Sequence, residues 1–213
     1  MKFLILSGPT REYIDPVRFI SNDSSGKMGK ALAQAIIKRK HNVIFITGQA
    51  AILPNPSRSI KIVKVISADD MFAALKKNFK TADIIISAAA VSDFKPQTFS
   101  KNKIKKDKQI LTLKLIKNPD IIAYCGKNKK KQVIAGFALE TQNLIKNAQK
   151  KLKEKNLDLI IANSKEALGA SKNSAHIINS DGKIISIQNS NKNKIADKII
   201  NETIKIFRNN KTR

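Results

Sequence analysis

The run "DIIIS" at residues 83–87 decides the fold. Three consecutive isoleucines show no alternation, so both faces of such a strand are apolar. A strand buried on both faces belongs to a parallel sheet covered by helices, not to an open antiparallel one. Working outward, strands are expected at "KFLIL" (2–6), "NVIFI" (42–46), "IKIVKV" (60–65), "QVIAGF" (132–137) and "LDLIIA" (157–162). Helical patterns fall between them. Met28, Leu32, Ala35 and Ile36 share one face of a helix capped by Ser24 or Ser25, and Ser67 with Asp70 makes a capping box for a helix carrying Met71, Ala74 and Leu75. Asn118-Pro119-Asp120 reads as a helix start, Asn118 capping and Pro119 in the first helical position. A helix over 141–155 turns Leu144, Ala148 and Leu152 inward, and an amphipathic helix closes the chain from about 192 to 208. Two antiparallel additions are expected: a ribbon from the alternation at Ile110 to Leu115, and a hairpin of "AHIIN" with "KIISIQ" around Ser180-Asp181-Gly182. The fold class is α/β, a Rossmann-like three-layer sandwich with a central, mainly parallel sheet plus ribbon and hairpin additions. Residues 1–213 form one domain, with a flap or ribbon near 99–117 and the hairpin and last helix near 174–208.

Composition narrows the function classes. The chain has 41 basic and 16 acidic residues in 213, a net charge of +25. Aromatics are only 5% and Trp is absent, which leaves a single-strand nucleic-acid binder short of stacking surfaces. A bias toward Lys, Asn and Ile that scatters lysines over solvated faces is favoured over a nucleic-acid surface, which stands as the alternative function. The single cysteine, Cys125, excludes an intramolecular disulfide and a Cys-based zinc site. His41 and His176 lack metal-ligand spacing and read as structural. "MKFLILSG" is too short for a secretory signal and no run has the length of a membrane span, so a cytoplasmic protein is expected.

In parallel sheets ligands bind beyond the carboxyl ends of strands, here residues 7–27, 87–103, 117–122, 137–141 and 162–170. "FISNDSSGKMG" (19–29) resembles a P-loop at first sight, but it lacks Gly at position 21 and Ser or Thr at position 28. Its passage into a helix N-terminus at Ser24-Ser25-Gly26 still suits an anion. "SAAAVSDF" (87–94) offers tiny side chains against which a flat ligand can lie. Asp93 either accepts hydrogen bonds from ligand hydroxyls or caps a helix. "KNKIKK" (101–106) is a solvated charge run or a cationic flap for a phosphoryl group. Lys151 and Lys155 share a helix face, and on their own read as two solvated lysines.

Together, "SGPTREYIDPVRFISN", "SSGKMG", "SAAAVSDF", "KIKK", "KNPDI", "GFALET" and "KNLDLIIAN" resemble the phosphopantothenoylcysteine synthetase family in order and over nearly the whole chain. The resemblance implies a stand-alone ligase of coenzyme A biosynthesis without the flavin-dependent decarboxylase domain, and hence without flavin. 4′-Phosphopantothenate would react with CTP, carried with magnesium (Mg2+), to give an acyl-cytidylate and pyrophosphate. L-cysteine would then displace CMP. "KIKK" and "NPDI" resemble the bacterial, CTP-using branch. The resemblance assigns Lys103 to the nucleotide phosphate and to charge stabilisation, Asn22 to the intermediate, and Arg18 to phosphopantothenate or the second half-reaction. Ser87, Ala88, Ala89, Asp93, Pro119, Asp120, Ile121, Ile122, Phe137, Lys151 and Lys155 would hold the nucleotide, and Ala89 and Ala90 would help hold the intermediate. A homodimer and a separate decarboxylase are the implied protein partners. No protein-held metal, membrane or specific nucleic acid is expected. Asp23 and Leu139 depart from the family pattern: an acid beside an anion site, and a larger side chain near Phe137.

Overall fold

The computed structural model describes residues 1–106, 109–140, 142–164 and 172–211, with the side chains of 164 and 172 left aside. In chain order the elements are β1 (Lys2–Pro9), β2 (Arg11–Tyr13), β3 (Phe19–Ser21), α1 (Lys27–Lys38), β4 (Asn42–Gly48), β5 (Ile60–Val65), α2 (Ala68–Phe79), β6 (Ile84–Ala90), β7 (Phe94–Pro96), β8 (Leu115–Lys117), α3 (Ile121–Asn128), β9 (Val133–Glu140), α4 (Leu144–Glu154), β10 (Leu159–Ser164), β11 (Lys172–Asn179), β12 (Ile184–Asn191) and α5 (Lys192–Lys211).

The central sheet has eight strands in the order β12-β11-β10-β9-β6-β1-β4-β5. Strands β10 through β5 in that order run parallel, and β11 and β12 append an antiparallel hairpin. The pleat sends successive residues to opposite faces. Phe3, Ile5, Ile84, Ile86, Val133, Ala135, Leu159 and Ile161 meet α1 and α5, while Leu4, Leu6, Ile85, Ile134 and Ile160 meet α2, α3 and α4. Three layers result, because a strand with two apolar faces needs a helix over each. The chain runs from β1 outward to β4 and β5, then returns to the other side of β1 to form β6. That reversal leaves a crevice at the carboxyl ends of the central strands.

Several local expectations fail for identifiable reasons. The alternation at 110–115 does not make a long ribbon. An antiparallel ribbon does form, but only at the end of that stretch: Leu115–Lys117 pairs with Phe94–Pro96, the Lys114 carbonyl accepts from the Gln97 amide at 2.9 Å, and residues 110–114 take no strand conformation. No apolar layer covers that stretch: Ile110 is 78% and Leu111 54% exposed, so alternation finds nothing to pack against. The flap's residues 107 and 108 lie outside the described residues, as do Thr141, expected in the fourth helix, and 165–170 of the last strand-end loop. Helix α3 begins after Asp120, whose carboxylate accepts the Ala123 amide at 3.0 Å, and not at Asn118. Asn118 instead donates its side-chain amide to the Ser92 carbonyl at 2.8 Å and its backbone amide to Asp93. Neither Ser24 nor Ser25 caps α1. Gly26 occupies the cap with φ 69°, a left-handed conformation that favours glycine. The Ser67–Asp70 capping box forms as read, with the Ser67 oxygen accepting from Asp70 at 3.1 Å and Asp70 accepting from Ser67 at 3.0 Å. The long first loop is also more ordered than a plain connection: β2 and β3 pair as a short ribbon within it.

Candidate active site at the strand carboxyl ends

The crevice holds a cleft of ≈ 340 Å³ between the ends of β6 and β9 and the α3 and α4 helices. Ser87 and Ala89 form part of its wall, and their small side chains keep it open. Pro119, Asp120, Ile121 and Ile122 form another, where the chain turns into α3. Lys151 and Lys155 approach from α4. The Lys155 ammonium lies 2.7 Å from an Asp120 carboxylate oxygen, and Lys151 donates to the Phe137 carbonyl at 3.0 Å. These lysines therefore converge on a concave wall instead of standing free in solvent.

The electrostatics of Lys151 differ from those of a surface lysine. Burial lowers the Lys151 pKa, and the charge of Lys155 lowers it further, against the opposing pull of Glu140, Asp120 and Asp93. Burial raises the Asp120 carboxyl, but the Lys155 hydrogen bond, the Ala123 amide and the two lysine charges outweigh it and hold it below the usual carboxylate value. A cleft with one partly desolvated ammonium and a second lysine bound to a carboxylate suits an anionic ligand.

Of the expected nucleotide residues, Ser87, Ala89, Asp93, Pro119, Asp120, Ile121, Ile122, Phe137, Lys151 and Lys155 all line this cleft. Ala88 does not: it points to the opposite face of β6 and packs on the α1/α5 side. Phe137 also packs on that side, so its carbonyl, held by Lys151, is the atom tied to the cleft lysines. Asp93 precedes a strand and caps no helix, which removes that alternative. Among the described residues its carboxylate makes no ion pair or hydrogen bond, and it lines the cleft.

The first loop stands beside the cleft. Asn22 donates its amide to the carbonyls of Val91 at 3.0 Å and Ala90 at 3.3 Å, pinning the loop to the end of β6. Gly29 lies against β1 so closely that a Cβ there would sit 2.1 Å from the Ser7 hydroxyl oxygen. The glycines of "FISNDSSGKMG" thus let α1 press on the strand. Asp23 is exposed, and Leu139 is 49% exposed and outside the cleft wall. Neither side chain lines the cleft.

Lys103 is exposed and outside the cleft lining. Its neighbour Ile104 is bound to the first loop: the Arg18 guanidinium donates to the Ile104 carbonyl at 2.8 Å, and the Ile104 amide donates to Asp15 at 3.1 Å. The 101–106 segment is therefore not a free flap where it meets Arg18. Sequence reading passed over Ser92 and Asp15 and gave Asn118 a different task, a helix cap; each of the three positions this region. Asp15-Pro16 carried a turn signal, but nothing in the sequence signalled its reach to residue 104.

The comparisons with known proteins agree with this architecture. The profile of the family described as DNA/pantothenate metabolism flavoprotein C-terminal domain matches residues 1–207. The chain belongs to that family. It is 43% identical over 202 residues to the coenzyme A biosynthesis bifunctional protein CoaBC of Borreliella burgdorferi, covering 93% of this chain and 51% of the relative. The chain spans about half the length of the curated relatives it matches. The crystal structure of the C-terminal domain of a CoaBC protein superposes with a TM-score of 0.84 at 34% identity, covering 98% of this chain and 96% of that one. A Cab2 mutant in complex with phosphopantothenate-cysteine shares the fold, with a TM-score of 0.81 at 18% identity, over 99% of this chain and 87% of that one. Among the described residues, no helix is long and apolar enough to cross a membrane.

Proposed function

We propose that this domain joins 4′-phosphopantothenate to L-cysteine through an acyl-cytidylate, in coenzyme A biosynthesis. The observation that supports it most directly is the cleft at the ends of β6 and β9, with Lys151 and Lys155 turned onto its wall, in a chain from a family whose members include coenzyme A biosynthesis proteins.

A carboxylate resists amine attack until one oxygen becomes a leaving group. In the first step, a carboxylate oxygen of phosphopantothenate attacks the α-phosphorus of CTP, forming a carbon–oxygen–phosphorus bridge and expelling pyrophosphate. In the second, the cysteine amine attacks the acyl carbon, an amide bond forms, CMP leaves with the bridging oxygen, and the nitrogen gives up a proton. Both steps bring anions together, so fixed cations and oriented amides lower the barrier. Lys151 and Lys155 meet the nucleotide in the cleft. Lys103 is assigned to the phosphates, Asn22 to the acyl-nucleotide, and Arg18 to phosphopantothenate or the second half-reaction. Ala90 lies within the reach of Asn22 through its carbonyl. Magnesium would arrive on the triphosphate oxygens.

A homodimer is part of the reading. Val17, Phe19, Phe94, Phe99, Leu115 and Ile116 are all exposed, and they lie in the first loop and around the β7–β8 ribbon. Such apolar surface favours a partner. Incubation of the purified protein with phosphopantothenate, cysteine and either CTP or ATP tests the function. Pyrophosphate release with CTP is expected, and no release with either nucleotide would remove the assignment.

A further inference from the structure

We propose that Asp15 is a positioning residue that fixes Lys103 at the reaction centre by holding the main chain of Ile104; this rests on the ligase reading above. Asp15 is fully buried in the first loop. Its Oδ1 accepts the amides of Val17 and Arg18, both at 2.9 Å, the ordinary way an Asp closes a turn on itself. Its Oδ2 does something the turn does not need. It accepts the Ile104 amide at 3.1 Å, across 89 positions of sequence, and lies 3.4 Å from an Arg18 guanidinium nitrogen. Arg18 in turn holds the Ile104 carbonyl at 2.8 Å. The residue next to Lys103 is therefore gripped at both its N–H and its C=O.

A second contact closes the arrangement. The Ser100 amide donates to the Ile14 carbonyl at 2.9 Å, so residues 100 and 104 are both fastened to the loop that contains Asp15. Lys103 lies inside this five-residue bracket. Its side chain keeps its freedom, but the Cα from which it springs does not. A lysine used against a triphosphate needs that anchorage, since fixing its root removes part of the ordering cost from the reaction. Ionised Asp15 has no proton to donate, so both oxygens accept at once. Burial raises its carboxyl, and the amides of Val17, Ile104 and Arg18 and the arginine charge override that and keep it ionised.

Asp15→Asn separates the two duties of this side chain. An asparagine oxygen can still close the turn, but its NH2 would then face the Ile104 N–H, donor against donor. Pyrophosphate release from CTP and phosphopantothenate without cysteine should slow by about tenfold to a hundredfold. In a Lys103→Gln background, read with enzyme in excess so that residual rates are measurable, the same substitution should cost less than about twofold, because a residue acting through another has no effect once that other is gone. An equal factor in both backgrounds would overturn the proposal. Amide exchange on the wild-type protein provides a readout that needs neither variant folding nor turnover. The Ile104 N–H should exchange at least about tenfold more slowly than those of Lys101 and Lys105; equal rates at all of them would mean that the tether does not exist. Absence of pyrophosphate release by the wild type would instead refute the ligase reading, leaving the exchange result to judge the tether.

Discussion

Lys151 and Lys155 sit one helical turn apart, yet their surroundings set them to different tasks. Lys155 is bound to Asp120, and Lys151 is the more desolvated of the pair, held on the Phe137 carbonyl. Because burial and the neighbouring charge lower its pKa, Lys151 loses its proton at lower pH than an ordinary lysine. Affinity for CTP, read as kcat/KM, should therefore fall on the alkaline side earlier than for a solvated lysine. Lys151→Arg should move that limb to higher pH, since a guanidinium stays charged; an unmoved limb would show that Lys151 does not meet the phosphates. For Asp120 the sign runs the other way. Its carboxyl is held below the usual value, so the contribution of the pair is complete above the ordinary carboxylate pKa and is lost as pH falls through the lowered one. At Lys103, replacement by Gln should nearly abolish pyrophosphate release while leaving the thermal midpoint unchanged, and near-normal turnover would end its assignment. Asn22→Asp would set a carboxylate against the Ala90 and Val91 carbonyls. It should spare pyrophosphate release better than amide formation, seen as accumulation of the acyl-nucleotide in quenched reactions; equal loss of both steps contradicts the role given to Asn22.

At the scale of elements, the reading succeeds where local chemistry closes on itself and fails where distant groups decide. The Ser67–Asp70 box needs only residues three apart, and it forms as read. Ser67→Ala should cost about 1 kcal/mol in denaturant unfolding without changing turnover, and a coupled loss of activity would mean that α2 does more than frame the sheet. Runs such as "DIIIS" are legible because a strand apolar on both faces has few alternatives. The start of α3 was not, because Asn118 is drawn off to Ser92, a partner 26 residues away. The ribbon shows the reverse error: alternation at 110–115 is a pattern without a packing surface, and only its last residue enters β8. Ala88 and Ala89 make the same point within one strand. Both were assigned to the nucleotide, but adjacent residues of a strand face opposite ways and only Ala89 reaches the cleft.

For the whole molecule, the doubly covered parallel sheet and its crevice follow from hydrophobic runs and their order, while the meeting of α4 lysines with the β9 end required the three-dimensional structure. Taken alone, the lysine pair read as solvated, and the composition could not say otherwise in a chain of +25. The proposed homodimer is tested at this scale. Ile116→Glu on the exposed ribbon should shift sedimentation of the protein toward a monomer, and an unchanged dimer would place the interface elsewhere. The central claim is that the strand-end edge makes a carboxylate reactive by joining it to a nucleotide. The most direct measurement uses phosphopantothenate labelled with oxygen-18 in its carboxylate, turned over with CTP and cysteine, followed by mass analysis of the products. The account predicts one labelled oxygen in the released CMP; label found in an inorganic phosphate product, or none in CMP, would contradict it.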